Sequence, residues 1–185
     1  MNLLKENKNA ILFLLVFVGL YVILNTLYGL YIRHALPGSD VFTRVVTGQV
    51  VWFLSLFDPS VVYYPSALSE YIPVANDHGI TINVFEGCNG LNVMIVYVSF
   101  LLAFSGPRRE LIKFVLVGVV AIHAINLLRV GLLYGVALYF PQQLYFFHKY
   151  FFTGMIYLMV FVLWFHWVKR VRAERPVNEA NPKEL

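Results

Sequence analysis

With 185 residues, 59% hydrophobic composition, 13% charged residues and a mean hydropathy of +0.70, the chain has too little polar surface for a water-soluble domain and requires lipid as its solvent. The net charge of +4 does not point to nucleic acid, because the basic residues cluster beside apolar runs, where cytoplasmic-side anchoring accounts for them. The single cysteine excludes an internal disulfide and a dithiol redox centre within one chain, and no Cys-His cluster has zinc-ligand spacing, so neither metal nor cofactor is expected.

Lys5 and Lys8 precede an apolar run from Ala10 to Ile32. The run is longer than a secretory signal core and lacks a small-residue cleavage site, which predicts an uncleaved span starting inside the cell. Pro37-Gly38-Ser39-Asp40 reads as a helix start, and Asp58-Pro59 as the stop. Val41 to Phe57 between them is apolar but holds Arg44, Thr47, Gln49 and Ser55, a composition that suits either a crossing or an interfacial helix. Ile80, Ile82 and Val84 alternate after the turn residues Asn76-Asp77-His78-Gly79, predicting a small hairpin with the Pro73 strand at an edge.

A polar, glycine-flanked stretch, Phe85 to Asn92, carries the only cysteine and runs directly into the apolar Leu91 to Phe104. Gly87 and Gly90 there would let a substrate backbone approach closely. Leu111 to Phe140 is either one long helix or two spans broken near Asn126 to Arg129. Tyr150 to Val168 is a further span, preceded by a belt of aromatics from Tyr145 to Phe152. Residues 1–168 read as one membrane-embedded domain, and 169–185 as a basic, disordered cytoplasmic tail.

Charge resolves the two ambiguous segments. The strongest basic clusters are the N-terminus, Arg108 to Lys113, and Lys169 to Arg175, and the positive-inside rule puts all three in the cytoplasm. An even number of crossings must separate each pair. Val41 to Phe57 is therefore assigned to the outer interface, and Leu111 to Phe140 becomes a single helix, roughly 45 Å long at ~1.5 Å per residue. The predicted fold is an all-α membrane protein with four transmembrane helices, an outer interfacial helix and a small extracytoplasmic hairpin, both termini being cytoplasmic. All Lys and Arg residues except Arg33, Arg44, Arg129 and Lys149 then lie on the cytoplasmic side.

This topology brings three reactive residues to one depth. Cys88 begins one span, His148 begins another, and Arg129 lies about 24 Å along its helix from Lys113, in the outer leaflet. An arginine in an apolar run costs about 2.5–3.5 kcal/mol on insertion scales unless it faces protein or water, so it needs surroundings within the bundle. His123, Asn126 and Arg129 follow at i, i+3 and i+6 as one polar stripe. The chemistry that suits the trio is acyl transfer from a peptide on the extracytoplasmic side. Cys88 would be the nucleophile, His148 the acid and base, and Arg129 the oxyanion donor. Asn92, one turn from Cys88, and Asn126, one turn from Arg129, would support them, and Glu86 would orient either Arg129 or His148.

Cys88-Asn89-Gly90 after a polar outer loop, Asn126-Leu127-Leu128-Arg129-Val130 on the next helix, and His148 before the last helix resemble the Cys, Arg and His blocks of the exosortase and archaeosortase family. The chain resembles a short member with a compact membrane core. The resemblance implies a prokaryotic cell-membrane cysteine peptidase or transpeptidase that cleaves a C-terminal sorting signal, a short motif followed by a transmembrane helix and a basic cluster. It implies the same roles for Cys88, Arg129 and His148, a membrane-anchored exported protein as substrate, and water or an amine as acyl acceptor. A competing, non-enzymatic reading is a membrane subunit that anchors or assembles a secretion or surface-polymer complex, with Arg129 as structural glue. A hydrolase acting on lipid or phosphate finds no Asp/Ser/His arrangement or acidic cluster here.

Overall fold

The computed structural model describes residues 7–104 and 106–174. Its helices are α1 (Lys8–Ala35), α2 (Val41–Ser55), α3 (Leu91–Ala103), α4 (Arg108–Tyr139) and α5 (Phe152–Glu174). Three helical segments, Lys8–Ala35, Arg108–Tyr139 and the run Pro141–Ala173 that contains α5, are long and apolar enough to cross a membrane. α2 and α3, with 15 and 13 residues, are shorter. At ~1.5 Å per residue α3 is roughly 20 Å long, less than a ~30 Å hydrocarbon core, so the count of four crossings does not follow from helix length.

The outside of the molecule is apolar. Leu12, Leu15, Val117, Val120, Phe161 and Phe165 are all more than half exposed, the arrangement expected when lipid is the solvent. α1 has no fully buried residue and is attached through rings. Phe13 meets Phe100 and Phe104 of the α3 end at 5.4 and 5.9 Å, and Phe17 meets Trp164 of α5 at 6.3 Å. Such aromatic pairs add to dispersion packing where no hydrophobic effect separates helix from lipid.

These contacts gather the start of α1, the end of α3, the start of α4 and the end of α5 at one end of the bundle. An Arg170–Glu110 ion pair of 3.0 Å links the last two. Lys8, Arg108, Arg109, Lys113, Lys169 and Arg172 belong to these same helix ends. The core there consists of Tyr97, Leu101, Ile122, Val160, Trp167 and Val171. Tyr97 is fully buried because Gly118 leaves room for its ring, and its hydroxyl donates to the Phe114 carbonyl at 2.7 Å.

The opposite end carries a three-stranded antiparallel sheet in the order β1 (Val62–Tyr63), β2 (Ile72–Asn76), β3 (Gly79–Val84). Its inner face, with Val61, Val74 and Val84, closes over Val50 and Val51 of α2 and Val130 and Tyr134 of α4, with Cys88 in the same cluster. The sheet is larger than the two-stranded hairpin expected, and this changes the reading of Pro73: β2 is the central strand. The Pro73 carbonyl accepts from the Tyr64 N–H at 3.0 Å, so its nitrogen faces the same way, just past the end of two-residue β1. The missing donor leaves the longer β2–β3 ladder intact.

Further boundaries differ from expectation. Residues 108–139 form one unbroken helix, as charge parity required. α5 continues past Val168 through Glu174, helped by Arg172 in its last turn, where positive charge favours the helix C-terminus. The remaining tail residues lie outside the described part. The connection before α5 is helical from Pro141 onward, as a 3₁₀ turn, a short α segment and a π-helical turn at Phe147–Phe151.

Candidate active site

Cys88 ends a 3₁₀ turn, Glu86–Cys88, between β3 and α3. Its N–H donates to the Phe85 carbonyl at 2.8 Å, closing the turn. The turn is tied to three helices. From α4, Asn126 Nδ2 donates to the Cys88 carbonyl at 2.8 Å. From α1, Tyr28 Oη accepts from Asn89 Nδ2 at 2.9 Å and makes a long 3.4 Å contact to the Glu86 carbonyl. From α2, Thr43 Oγ1 accepts from Asn89 Nδ2 at 3.2 Å.

The Thr43 hydroxyl in turn donates to the Asp40 carboxylate, which also caps α2 by accepting from the Thr43 N–H at 3.0 Å. Asn89 Oδ1 accepts from Leu91 N–H at 2.9 Å at the head of α3. Asn89, only 2% exposed, therefore has both amide hydrogens and its oxygen occupied. Asn89, Thr43 and Asp40 are thus paired with one another in a buried network that favours one geometry, and this geometry holds the cysteine.

The glycines serve this packing. Gly90 has φ +82°, and a Cβ there would lie 3.0 Å from the Asn126 side chain. A Cβ on Gly87 would lie 2.6 Å from the Phe85 ring. Both positions are filled by the protein itself.

A cavity of about 430 Å³ opens beside the thiol. Its walls are Thr81 to Phe85 of the β3 region, Cys88, Val130 and Leu133 of α4, and Leu144, Tyr145 and His148 of the turn before α5. His148 stands in the π-helical turn, a feature that re-aims side chains and recurs at functional sites. Its carbonyl accepts from Thr153 Oγ1 at 3.0 Å, while neighbouring Lys149 lies over the Tyr145 and Tyr150 rings at 5.0 and 5.6 Å.

Arg129 is 8% exposed, and its Nε is buried without a hydrogen-bond partner among the described residues. Its charge acts on both Cys88 and His148. Burial pushes the Cys88 thiol above the ordinary cysteine range, outweighing the opposing pull of the Phe85 main-chain N–H and of Arg129. The resting sulfur is thus a thiol that needs a base.

Of the residues singled out by sequence, Cys88 and His148 share one cavity, Arg129 acts on both, and Asn126 grips the Cys88 backbone. Asn92 is exposed and makes no hydrogen bond to a described residue, because it lies on the outward face of α3's first turn. Glu86 forms no ion pair with Arg129 or His148 among the described residues; it acts on the turn through its carbonyl. The stripe on α4 divides its duties: His123 Nε2 meets Gln49 Oε1 of α2 at 2.9 Å, deeper than the site. Asn89, Thr43, Asp40 and Tyr28 were missed as supports. Their one sequence signal was the helix-start pattern at Ser39-Asp40, which says nothing of a partner 46 residues away on the Cys88 loop.

No curated protein and no solved structure matches the chain. The family model for transmembrane exosortases matches residues 5–168, a range that takes in every element around the cavity. The chain belongs to the transmembrane exosortase family.

Proposed function

We propose that the protein is a membrane-embedded cysteine peptidase or transpeptidase that cleaves the C-terminal sorting signal of an exported protein through a thioester on Cys88. The observation that carries this reading is one shared cavity lined by Cys88 and His148, next to a buried arginine whose Nε has no partner among the described residues. Family membership supports a transpeptidase- or protease-like role in the membrane.

Because burial favours the neutral thiol, His148 accepts the Cys88 proton as sulfur attacks the scissile carbonyl carbon. A C–S bond forms, the carbonyl π pair moves onto oxygen, and Arg129 stabilises the oxyanion. Collapse of this intermediate breaks the C–N bond, and His148 gives its proton to the leaving amine. The acyl group remains on Cys88 until water or an amine attacks, with His148 taking the attacker's proton and the thiol being restored.

In this reading the basic helix ends are cytoplasmic and the cavity extracytoplasmic, with four crossings, α3 being the short one, and α2 at the outer interface. Residues 1–168 act as one domain. The exported protein's own helix would reach the site laterally through the bilayer. The test is Cys88→Ala in cells, with membrane insertion verified, and mass identification of a Cys88-linked acyl adduct in the parent. Continued release of C-terminal segments from exported proteins by the alanine variant would overturn the proposal.

A further inference from the structure

Among the described residues β3 is an edge strand, paired with β2 alone. The register assigns its free groups. Pro73 faces β1, so its neighbours Ile72 and Val74 face β3, where they pair with Val84 and Ile82. Asn83, opposite Pro73, must then turn its N–H and C=O away from β2. No described residue hydrogen-bonds either group.

Natural edge strands are commonly protected by lysine, proline or a covering element. β3, Gly79-Ile80-Thr81-Ile82-Asn83-Val84, has neither lysine nor proline, and its Thr81 to Val84 stretch lines the cavity. Two residues on from Asn83, at the next position that turns away from β2, the Phe85 carbonyl accepts from the Cys88 N–H at 2.8 Å, and Cys88 lines the same cavity. The edge therefore presents an unoccupied donor and acceptor pair at Asn83 and then, at the next position of the same rank, the turn that carries the thiol.

We propose that the segment to be cleaved binds as a fourth strand on the free edge of β3, pairing with the main-chain N–H and C=O of Asn83, in the cavity between β3 and the His148 turn. The occupant is an extended peptide, the stretch of the exported protein that precedes its own membrane helix. Main-chain pairing of this kind supplies affinity independent of side chains, and pockets for alternate side chains supply selectivity. Pairing at Asn83 carries the next peptide units past the Cys88 sulfur, with Val130, Leu133 and Tyr145 facing the bound chain from the other wall. The inference rests on the peptidase reading for its substrate, and adds the backbone that binds it.

Asn83→Pro removes the free-edge N–H and no ladder bond, just as Pro73 is tolerated on β2; Asn83→Ala keeps the N–H. The probe is acetyl-tetra-alanyl chloromethyl ketone, which alkylates Cys88 with loss of chloride, applied to the full chain in detergent. Each rate is divided by that of iodoacetamide on the same variant. Asn83→Pro should lose at least about tenfold more than Asn83→Ala, the scale of one hydrogen bond in a confined site. Equal losses in the two variants would overturn the proposal.

A second measurement uses the unaltered protein. Methylating alternate amides of the probe should slow alkylation in one set about tenfold and leave the other nearly unaffected, whereas equal rates for both sets would sink strand pairing. If Cys88→Ala cells still process exported proteins while this alternation persists, the peptidase reading fails and the strand site stands.

Discussion

The Asn126 side-chain amide donates to the Cys88 carbonyl at 2.8 Å, joining the middle of the longest helix to the turn that bears the thiol. Asn126 is fully buried, so the carbonyl it holds has no access to water as a substitute. Asn126→Ala should therefore destabilise the fold by about 1–3 kcal/mol, the cost of stranding a buried acceptor. Unfolding in detergent measures this. An alanine variant as stable as the parent would contradict the role given to the bond.

The ionisation of Cys88 offers a pH test. Burial raises the thiol above the ordinary cysteine range, so its alkylation by iodoacetamide should climb with pH and level off only beyond that range. The Arg129 charge acts in the opposite sense, favouring thiolate. Arg129→Gln should move the alkylation midpoint to still higher pH and lower peptide cleavage about 10²–10³-fold, as expected for a lost oxyanion donor. A midpoint that stays put or falls would show that the guanidinium does not act on this sulfur.

His148 is the proposed base, and its contribution should depend on pH in a particular way. Near neutrality His148→Gln should slow peptide cleavage about 10²–10⁴-fold. With iodoacetamide, whose leaving iodide needs no proton, any slowing should vanish once pH exceeds the thiol's own ionisation. Loss that persists at alkaline pH would mean that His148 shapes the cavity and does not take the proton.

Gly118 and the paired glycines Gly131 and Gly135 lie on the same helix in different surroundings. A Cβ at Gly118 would fall 2.2 Å from the Tyr97 ring, whereas nothing lies within 4 Å of one at Gly131 or Gly135. Gly118→Ala should cost about 1–3 kcal/mol through overpacking. Gly131→Ala and Gly135→Ala should be neutral or stabilise by up to about 1 kcal/mol through helix propensity. Equal effects at all three sites in detergent unfolding would refute the close packing of Tyr97 on α4.

Lipid as solvent, the long apolar runs and the clustering of Lys and Arg at one set of helix ends were legible in the chain itself, because hydropathy and charge act locally and need no partner. The unbroken Arg108–Tyr139 helix followed from charge parity alone, without help from propensity. Cys88, Arg129 and His148 could be singled out for the same local reason: Cys88 and His148 are polar residues at the margins of apolar runs, and Arg129 is a charge within one.

Tertiary structure decided what surrounds them. Asn92 and Asn126 are equally plausible supports in one dimension, yet the rotation of α3 turns Asn92 outward while that of α4 turns Asn126 onto the Cys88 carbonyl. Asn89, Thr43, Asp40 and Tyr28 became a network only when three helices met at one turn, and Pro73 took the central strand because a two-residue β1 lies beside it. Hydrogen bonds between residues dozens of positions apart depend on helix rotation and strand register, and neither has a periodic trace in sequence.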